Sequence, residues 1–295
     1  MLLQLFWCSI FNFKMNFSKQ IFAYIKIIRP INVSITFFVV VVAILISQKE
    51  DVDKVVILLS SLAAAFIAGA GNIINDIYDI ETDKISHPKR VLVIGEITKK
   101  KAWYLYLTLN SCSAFIAASL SLMLLVIALS TAFLLFIYSA YLKRLPLIGN
   151  IVVSLITGLA FVYGGFAANN PAAAIIPAVF AFLINMIREI VKDIQDVEGD
   201  LKLKYKTYPI KFGIDNSKRL IVIITFILIV VTFYPFFTEL YKIEYFIIVM
   251  VFINPLLLLC LNLLFDRKRD SNLFYVNNIL KLNMVLGLIS IYLSK

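Results

Sequence analysis

The chain has 295 residues, 61% of them hydrophobic and 16% charged, with a mean hydropathy of +0.92. Soluble domains hold about 45–50% apolar residues, so this composition excludes an ordinary soluble domain and indicates a multi-pass membrane protein. The formal charge of +10 would suit nucleic acid, but the basic residues sit in short segments between apolar runs, where they set orientation and attract anionic lipid headgroups, and nucleic acid is not an expected partner.

In chain order, residues 1–20 read as an N-terminal leader of doubtful significance, with Met1 and Met15 both possible starts and no signal-peptide pattern. Residues 21–295 read as a single membrane domain. Ile21 to Ile28 is amphipathic and leads into Arg29-Pro30-Ile31-Asn32, where the proline suits the first turn of a helix. Ile31 to Ser47 is the first expected span. A second begins at Val55 and its helix should persist past the hydrocarbon, carrying Asn72, Asn75 and Asp79. The polar loop from Lys84 to Lys101 is long enough to be a binding element or lid. Spans three and four are expected at about Ala102 to Ala118 and Ser121 to Leu142, five at Ile151 to Ala168 and six from Pro171 to Ile190. Gly158, Gly164 and Gly165 in span five read as close helix packing, and Asn185 in span six as a hydrogen bond to a neighbouring helix. After a second polar loop, Lys202 to Ser217, come spans seven to nine: about Lys218 to Phe237, Tyr245 to Phe265 and Tyr275 to Leu293. The expected fold is an all-α bundle of nine transmembrane helices around a central cavity, capped by polar loops on the cytoplasmic side.

Two acidic stretches stand at the ends of otherwise almost uncharged runs. In the first, Asn75, Asp79 and Asp83 recur at steps of four and share a helical face. In the second, Arg188, Lys192, Asp196 and Asp200 keep the same step, with Asp193 beside them. Crowded carboxylates raise one another's pKa unless something positive lies between them. Oxygen-only ligands suit Mg2+, which is usually shared between carboxylates and substrate phosphates. The expected metal ligands are Asn75, Asp79, Asp83, Asp196 and Asp200, and two ions bridging a diphosphate are the expected arrangement. Either stretch alone could be only a solvated helix end; their repetition on one side favours a shared site.

His87 is the one histidine, which excludes a histidine-based zinc site, a Ser-His-Asp triad and haem held by two histidines. Cys8, Cys112 and Cys260 form no close pair and read as small buried hydrophobes. With the N-terminus cytoplasmic, every Lys and Arg except Lys49, Lys54, Lys242, Lys281 and Lys295 falls on the cytoplasmic side. The same asymmetry places both acidic stretches there.

A cup of carboxylates, metal and cations opening into an apolar bundle suits a diphosphate head on a long hydrocarbon tail. The metal would make the diphosphate a better leaving group, and Arg29, Arg90, Lys143 and Lys192 are candidates to stabilise its departing charge. Tyr78, Tyr138, Tyr141 and Tyr163 could face an allylic carbocation.

At these residues the chain resembles the UbiA superfamily of intramembrane prenyltransferases, whose two aspartate-rich motifs are matched by Asn75, Asp79 and Asp83 and by Asp196 and Asp200. Within it the chain is most similar to the geranylgeranylglycerol-phosphate geranylgeranyltransferases, through Arg29-Pro30-Ile31-Asn32, Leu147-Ile148-Gly149-Asn150-Ile151-Val152-Val153 and Arg188-Glu189-Ile190-Val191-Lys192-Asp193. The resemblance implies Mg2+-dependent transfer of a geranylgeranyl group from its diphosphate to the hydroxyl of a prenylated glycerol phosphate. Asp79, Asp83, Asp196, Asp200, Lys192 and Arg90 would carry the catalysis. Asn75, Arg29, Asn32, Lys143, Arg188, Tyr138 and Asp193 would bind substrate. One departure concerns the segment after Arg90, which reads Val91-Leu92-Val93-Ile94-Gly95 where the archaeal pattern carries prolines and a serine; it bears on the acceptor more than the donor. An aromatic prenyltransferase of quinone synthesis is the alternative acceptor class, although Ile85-Ser86-His87-Pro88-Lys89-Arg90 lacks its Arg-Thr-x-x-Arg-Pro run. A secondary transporter, the alternative of another class, would place its acids near the bilayer midplane. Donor chain length, catalytic base and oligomeric state stay open.

Overall fold

The computed structural model describes residues 20–203, 205–266 and 269–294, with no β-strand among them. The proposed leader lies outside the described residues apart from residue 20, as do Lys204, Arg267 and Lys268. A short helix α1 (residues 20–28) precedes α2 (Pro30–Ser47), α3 (Lys54–Tyr78), α4 (Ile80–Ser86), α5 (Lys99–Leu120) and α6 (Leu122–Ala140). Then come α7 (Ile148–Ala167), α8 (Pro171–Gln195), α9 (Val197–Lys202), α10 (Tyr208–Phe212) and α11 (Ile214–Phe237). Helix α12 (Ile243–Ile248) passes through a π-helical turn, Val249–Ile253, into α13 (Asn254–Phe265), and α14 (Arg269–Leu293) ends the bundle.

Local chemistry sets the starts. Pro30 and Pro171 occupy the first turns of α2 and α8, where a missing N–H costs nothing. Asp53, Thr98 and Ser121 cap α3, α5 and α6 by accepting hydrogen bonds from the backbone N–H of Val55, Lys101 and Leu124 at 2.8, 3.3 and 3.1 Å.

Among the described residues, eight helical segments are long and apolar enough to cross a membrane: α2, α3, α6, α7, α8, α11, the continuous Ile243–Phe265 unit and Asn272–Leu293 within α14. The expected third span is α5, whose 22 residues would extend about 33 Å. Its three leading lysines and its Thr108, Asn110, Ser111 and Ser113 leave it outside that apolar set. It lies along α3, with the Ser113 hydroxyl donating to the Ala63 carbonyl at 2.8 Å. Phe38, Phe115, Phe133 and Phe226 are exposed on the outer surface, as expected where the solvent is hydrocarbon.

Helices α2, α3, α7 and α8 are the inner neighbours, with α5 and α6 packed on α3, and α11 and α14 on α8. The glycines of α7 act as anticipated. A Cβ at Gly164 would lie 2.5 Å from the Cβ of Ala43 on α2, and one at Gly158 would lie 2.9 Å from the Ala178 carbonyl oxygen on α8, so both helices approach within backbone distance. Of the cysteines, Cys260 is buried as expected, whereas Cys112 is exposed on α5, because that helix buries only the narrow side facing α3.

The loop after α4 is anchored by its own apolar run. Val91 and Ile97 are each 3% exposed and pack with Ile73, Ile74 and Ile77 of α3. Gly95 supplies the left-handed turn (φ +78) between them. Val91 therefore holds Arg90 against the end of α3.

Candidate active site

Both acidic stretches break their helix at the middle aspartate. The expectation of one helix continuing through Asp79 needs correction: α3 stops at Tyr78, Asp79 adopts φ −97, ψ 2, and α4 begins at Ile80. At the second stretch Asp196 adopts φ −91, ψ 3 between α8 and α9. The bridge region of backbone space, sparsely allowed, is occupied at both. Backbone hydrogen bonds nevertheless continue across each break, from Asp83 N to Asp79 O at 2.7 Å and from Asp200 N to Asp196 O at 2.9 Å. Each break redirects the chain by one short helix.

The breaks expose a spacing that the four-residue step concealed: Asp76, Asp79 and Asp83 match Asp193, Asp196 and Asp200. Asp76 is the residue sequence reasoning missed, and it is the hub of the first cluster. Its side chain is 5% exposed and accepts hydrogen bonds from both Arg29 and Arg90, the latter at 3.1 Å. Arg90 also pairs with Asp83 at 2.5 Å. Lys143 pairs with Asp79 and reaches Asn75 Oδ1 at 3.4 Å. Each cation is delivered by an irregular piece of chain. Arg29 sits in the left-handed region (φ 57) between α1 and α2, a turn tied down by Asn72 Nδ2 donating to the Ile28 carbonyl at 2.8 Å. Lys143 lies in the 3-10 turn Leu142–Arg144, against which Gly149 packs so closely that a Cβ there would meet the Lys143 Cα at 3.1 Å.

Burial lowers the pKa of Lys143 despite the Asp79 carboxylate beside it, and raises that of Asp83 despite Arg90. The protein's own cations thus stand between the first set of carboxylates, where the sequence suggested metal. Among the described residues no three His, Cys, Asp or Glu side chains converge as a preformed metal cage. The second stretch differs. Asp193 accepts a hydrogen bond from Asn150 Nδ2 at 2.9 Å, but the ion pairs among the described residues include none from Asp193, Asp196 or Asp200. Burial, with the Asp196 carboxylate adding to it, pushes Asp200 up to about 6. These carboxylates make none of those ion pairs and have only the positive charge of Lys192 acting on them; on oxygen donors alone, that fits a hard divalent cation shared with a phosphorylated ligand.

Tyr205, whose backbone N–H donates to the Asp200 carbonyl at 3.0 Å, links the two stretches. The Tyr205 hydroxyl, just after α9, donates to Asp79 Oδ1 at 3.5 Å, and the Arg144 guanidinium lies 5.7 Å from the Tyr205 ring centroid. Below them opens a cavity of about 540 Å3, with Arg29, Asn32, Asn75, Arg188 and Lys192 at its polar end and walls such as Ile67, Ile127 and Ala160. Tyr138 and Tyr163 line it; Tyr141 is exposed and Tyr78 stacks edge-on against Phe136, so neither of these reaches it. Asn185 donates to Ser154 Oγ on α7 at 3.3 Å, the interhelical bond expected of it, and accepts from Arg188 at 2.9 Å. Asn185 therefore orients Arg188 at the cavity. An outer groove of about 490 Å3 between α2 and α14 shares Ile35 and Val39 with the cavity.

Known proteins resemble this chain in sequence and fold. The chain is 32% identical over 267 residues to digeranylgeranylglyceryl phosphate synthase of Methanosphaera stadtmanae, spanning 90% of this chain and 97% of that relative. It is 36% identical over 234 residues to the synthase of the same name from Saccharolobus solfataricus, spanning 78% and 83%. A solved structure from work on digeranylgeranylglyceryl phosphate synthase in membranes matches with a TM-score of 0.80 at 28% identity, covering 93% of this chain and 98% of that one. A UbiA homolog from Archaeoglobus fulgidus, solved with GPP and Mg2+, has the same fold, with a TM-score of 0.68 at 21% identity over 91% and 99%. The model of the UbiA prenyltransferase family matches residues 36–284. The chain is an integral membrane protein and belongs to the UbiA prenyltransferase family.

Proposed function

We propose that this prenyltransferase moves a geranylgeranyl group from its diphosphate to the hydroxyl of geranylgeranylglyceryl phosphate, in a Mg2+-dependent reaction that makes an ether lipid. The observation that carries the reading is the likeness to digeranylgeranylglyceryl phosphate synthases along 97% of a relative's length, in a chain whose cavity joins a cationic polar end to an apolar depth.

Asp79, Asp83, Asp196, Asp200 and Asn75 would hold Mg2+, with two ions bridging the diphosphate; the ions would act as Lewis acids on the leaving group. Arg90 and Lys192 stabilise the departing diphosphate, with Arg29, Lys143 and Arg188 beside them. Asn32, Asp193 and Tyr138 position the reacting ends. The bond between the donor's first carbon and diphosphate oxygen breaks. The acceptor hydroxyl oxygen bonds that carbon and loses its proton. The apolar walls exclude water, so the cationic carbon meets the intended hydroxyl. α5 serves as a ninth span, residues 21–295 form one domain, and the N-terminus and the polar end face the cytoplasm, in keeping with the basic residues clustered there.

The test offers purified protein labelled geranylgeranyl diphosphate with geranylgeranylglyceryl phosphate and 4-hydroxybenzoate as separate acceptors. Transfer to the glycerol phosphate supports the reading. Transfer only to the aromatic acid overturns the acceptor, and no release of diphosphate with either overturns the reaction.

A further inference from the structure

Resting on that reading, we propose that Tyr205 is a positioning residue for Asp79. It clasps the turn that follows the second acidic stretch onto the first, and its hydroxyl helps to fix which oxygen of Asp79 is left for Mg2+.

Turn chemistry delivers the side chain. Helix α9 ends at Lys202, and the Tyr205 backbone N–H donates back to the Asp200 carbonyl at 3.0 Å, the six-to-one hydrogen bond with which many helices close. Just downstream Thr207 and Pro209 are buried, and the Lys211 N–H donates to the Thr207 carbonyl at 3.0 Å as α10 begins. Tyr205 is therefore held on both sides, at a fixed offset from Asp200.

From there it reaches the other stretch twice. Its hydroxyl meets Asp79 Oδ1 at 3.5 Å, and Lys143 Nζ and Thr82 Oγ1 donate to the same oxygen, Thr82 at 3.3 Å. With Oδ1 engaged by all three, Oδ2 is the oxygen through which Asp79 meets a divalent cation. The Tyr205 ring lies 5.7 Å from the Arg144 guanidinium, and Arg144 belongs to the 3-10 turn that delivers Lys143. The contacts close a circuit. The ring steadies the turn, the turn carries Lys143 to Oδ1, and the Tyr205 hydroxyl returns to that same atom. At 3.5 Å the hydroxyl contact is long for a hydrogen bond, but such bonds at catalytic centres commonly tighten only around substrate. Loop packing alone would be served as well by phenylalanine, so the hydroxyl is the part that separates positioning from packing.

The experiment compares wild type with Tyr205→Phe, which keeps the ring, and Tyr205→Leu, which removes ring and hydroxyl together. Calorimetric titration of geranylgeranyl diphosphate over a series of Mg2+ concentrations gives the half-saturating Mg2+ with no acceptor present, and the same titration in EDTA gives the metal-independent affinity. Thermal unfolding in EDTA reports the fold. In Tyr205→Phe the half-saturating Mg2+ should rise about fivefold, the worth of one net hydrogen bond, with affinity and melting temperature in EDTA both unchanged. Tyr205→Leu should raise it further, because the turn carrying Lys143 loses its support. Wild-type Mg2+ dependence in Tyr205→Phe would overturn the assignment, as would a fall in its melting temperature in EDTA with no change in Mg2+ dependence. Should Tyr205→Leu fail to fold, Tyr205→Phe decides alone. Wild-type protein that binds the diphosphate equally well in EDTA would instead defeat the Mg2+ site of the proposed function, and this inference with it.

Discussion

Asp76 is the sharpest place to perturb. Asp76→Asn keeps the shape but removes the charge that receives Arg29 and Arg90. Removing one partner of a buried pair costs about 3–5 kcal/mol. Here the carboxylate is 5% exposed, but the guanidinium side chains keep 32% and 23% exposure and rehydrate in part. Arg90 also retains Asp83 at 2.5 Å. A cost of about 2 kcal/mol follows, in the middle of the range for unpaired buried polar groups. For a chain of this size that lowers the melting temperature by about 4 °C. Activity should suffer more, because two cations proposed to meet the diphosphate lose their common anchor; displacing a preorganised charge costs about 100-fold. Thermal unfolding in detergent and kcat/KM with geranylgeranyl diphosphate check both figures. A variant melting within about 1 °C of wild type and turning over within twofold would refute the claim that Asp76 organises the site.

Asp79→Ala and Asp196→Ala should each abolish turnover, by about 1,000-fold or more, while the protein remains folded and membrane-inserted by size-exclusion chromatography and proteolysis; wild-type activity in either would remove that residue from the metal site. The raised pKa of Asp200, about 6 against 3.8 for an ordinary carboxyl, means the folded state holds this proton more tightly. The corresponding stability is present below pH 3.8 and is lost as pH rises through about 6. Mg2+ should therefore raise the melting temperature more at pH 7.5 than at pH 5.5, and an equal or reversed shift would contradict it. Gly164→Val places carbon 2.5 Å from the Ala43 Cβ and should destabilise by about 1–3 kcal/mol through overpacking, seen as a lower melting temperature than that of Gly287→Val, which has open space.

Much of this architecture is legible from apolar run length and punctuation. Pro30 and Pro171 begin helices where their fixed backbone fits, and Gly158 and Gly164 mark backbone contact. The two acidic stretches could be placed at helix ends because charge is absent from the runs before them. The breaks at Asp79 and Asp196 were not legible, since a helical period of 3.6 persists through them and only backbone angles reveal them. Asp76 was passed over because it lies about 100° around the helix from Asn75, and its partners come from a left-handed turn 47 residues earlier and a loop 14 residues later. Tyr205 reaches Asp79 across 126 residues, a pairing no local pattern encodes.

The central claim is that the two acidic stretches act as one Mg2+-dependent diphosphate site, and calorimetric titration of geranylgeranyl diphosphate tests it most directly. Wild-type protein should bind tightly with Mg2+ and at least 100-fold more weakly with EDTA, and Asp79→Ala and Asp196→Ala should each lose the Mg2+-dependent part. Binding that is equally tight without Mg2+, or that keeps its full Mg2+ dependence in either variant, would contradict the shared site.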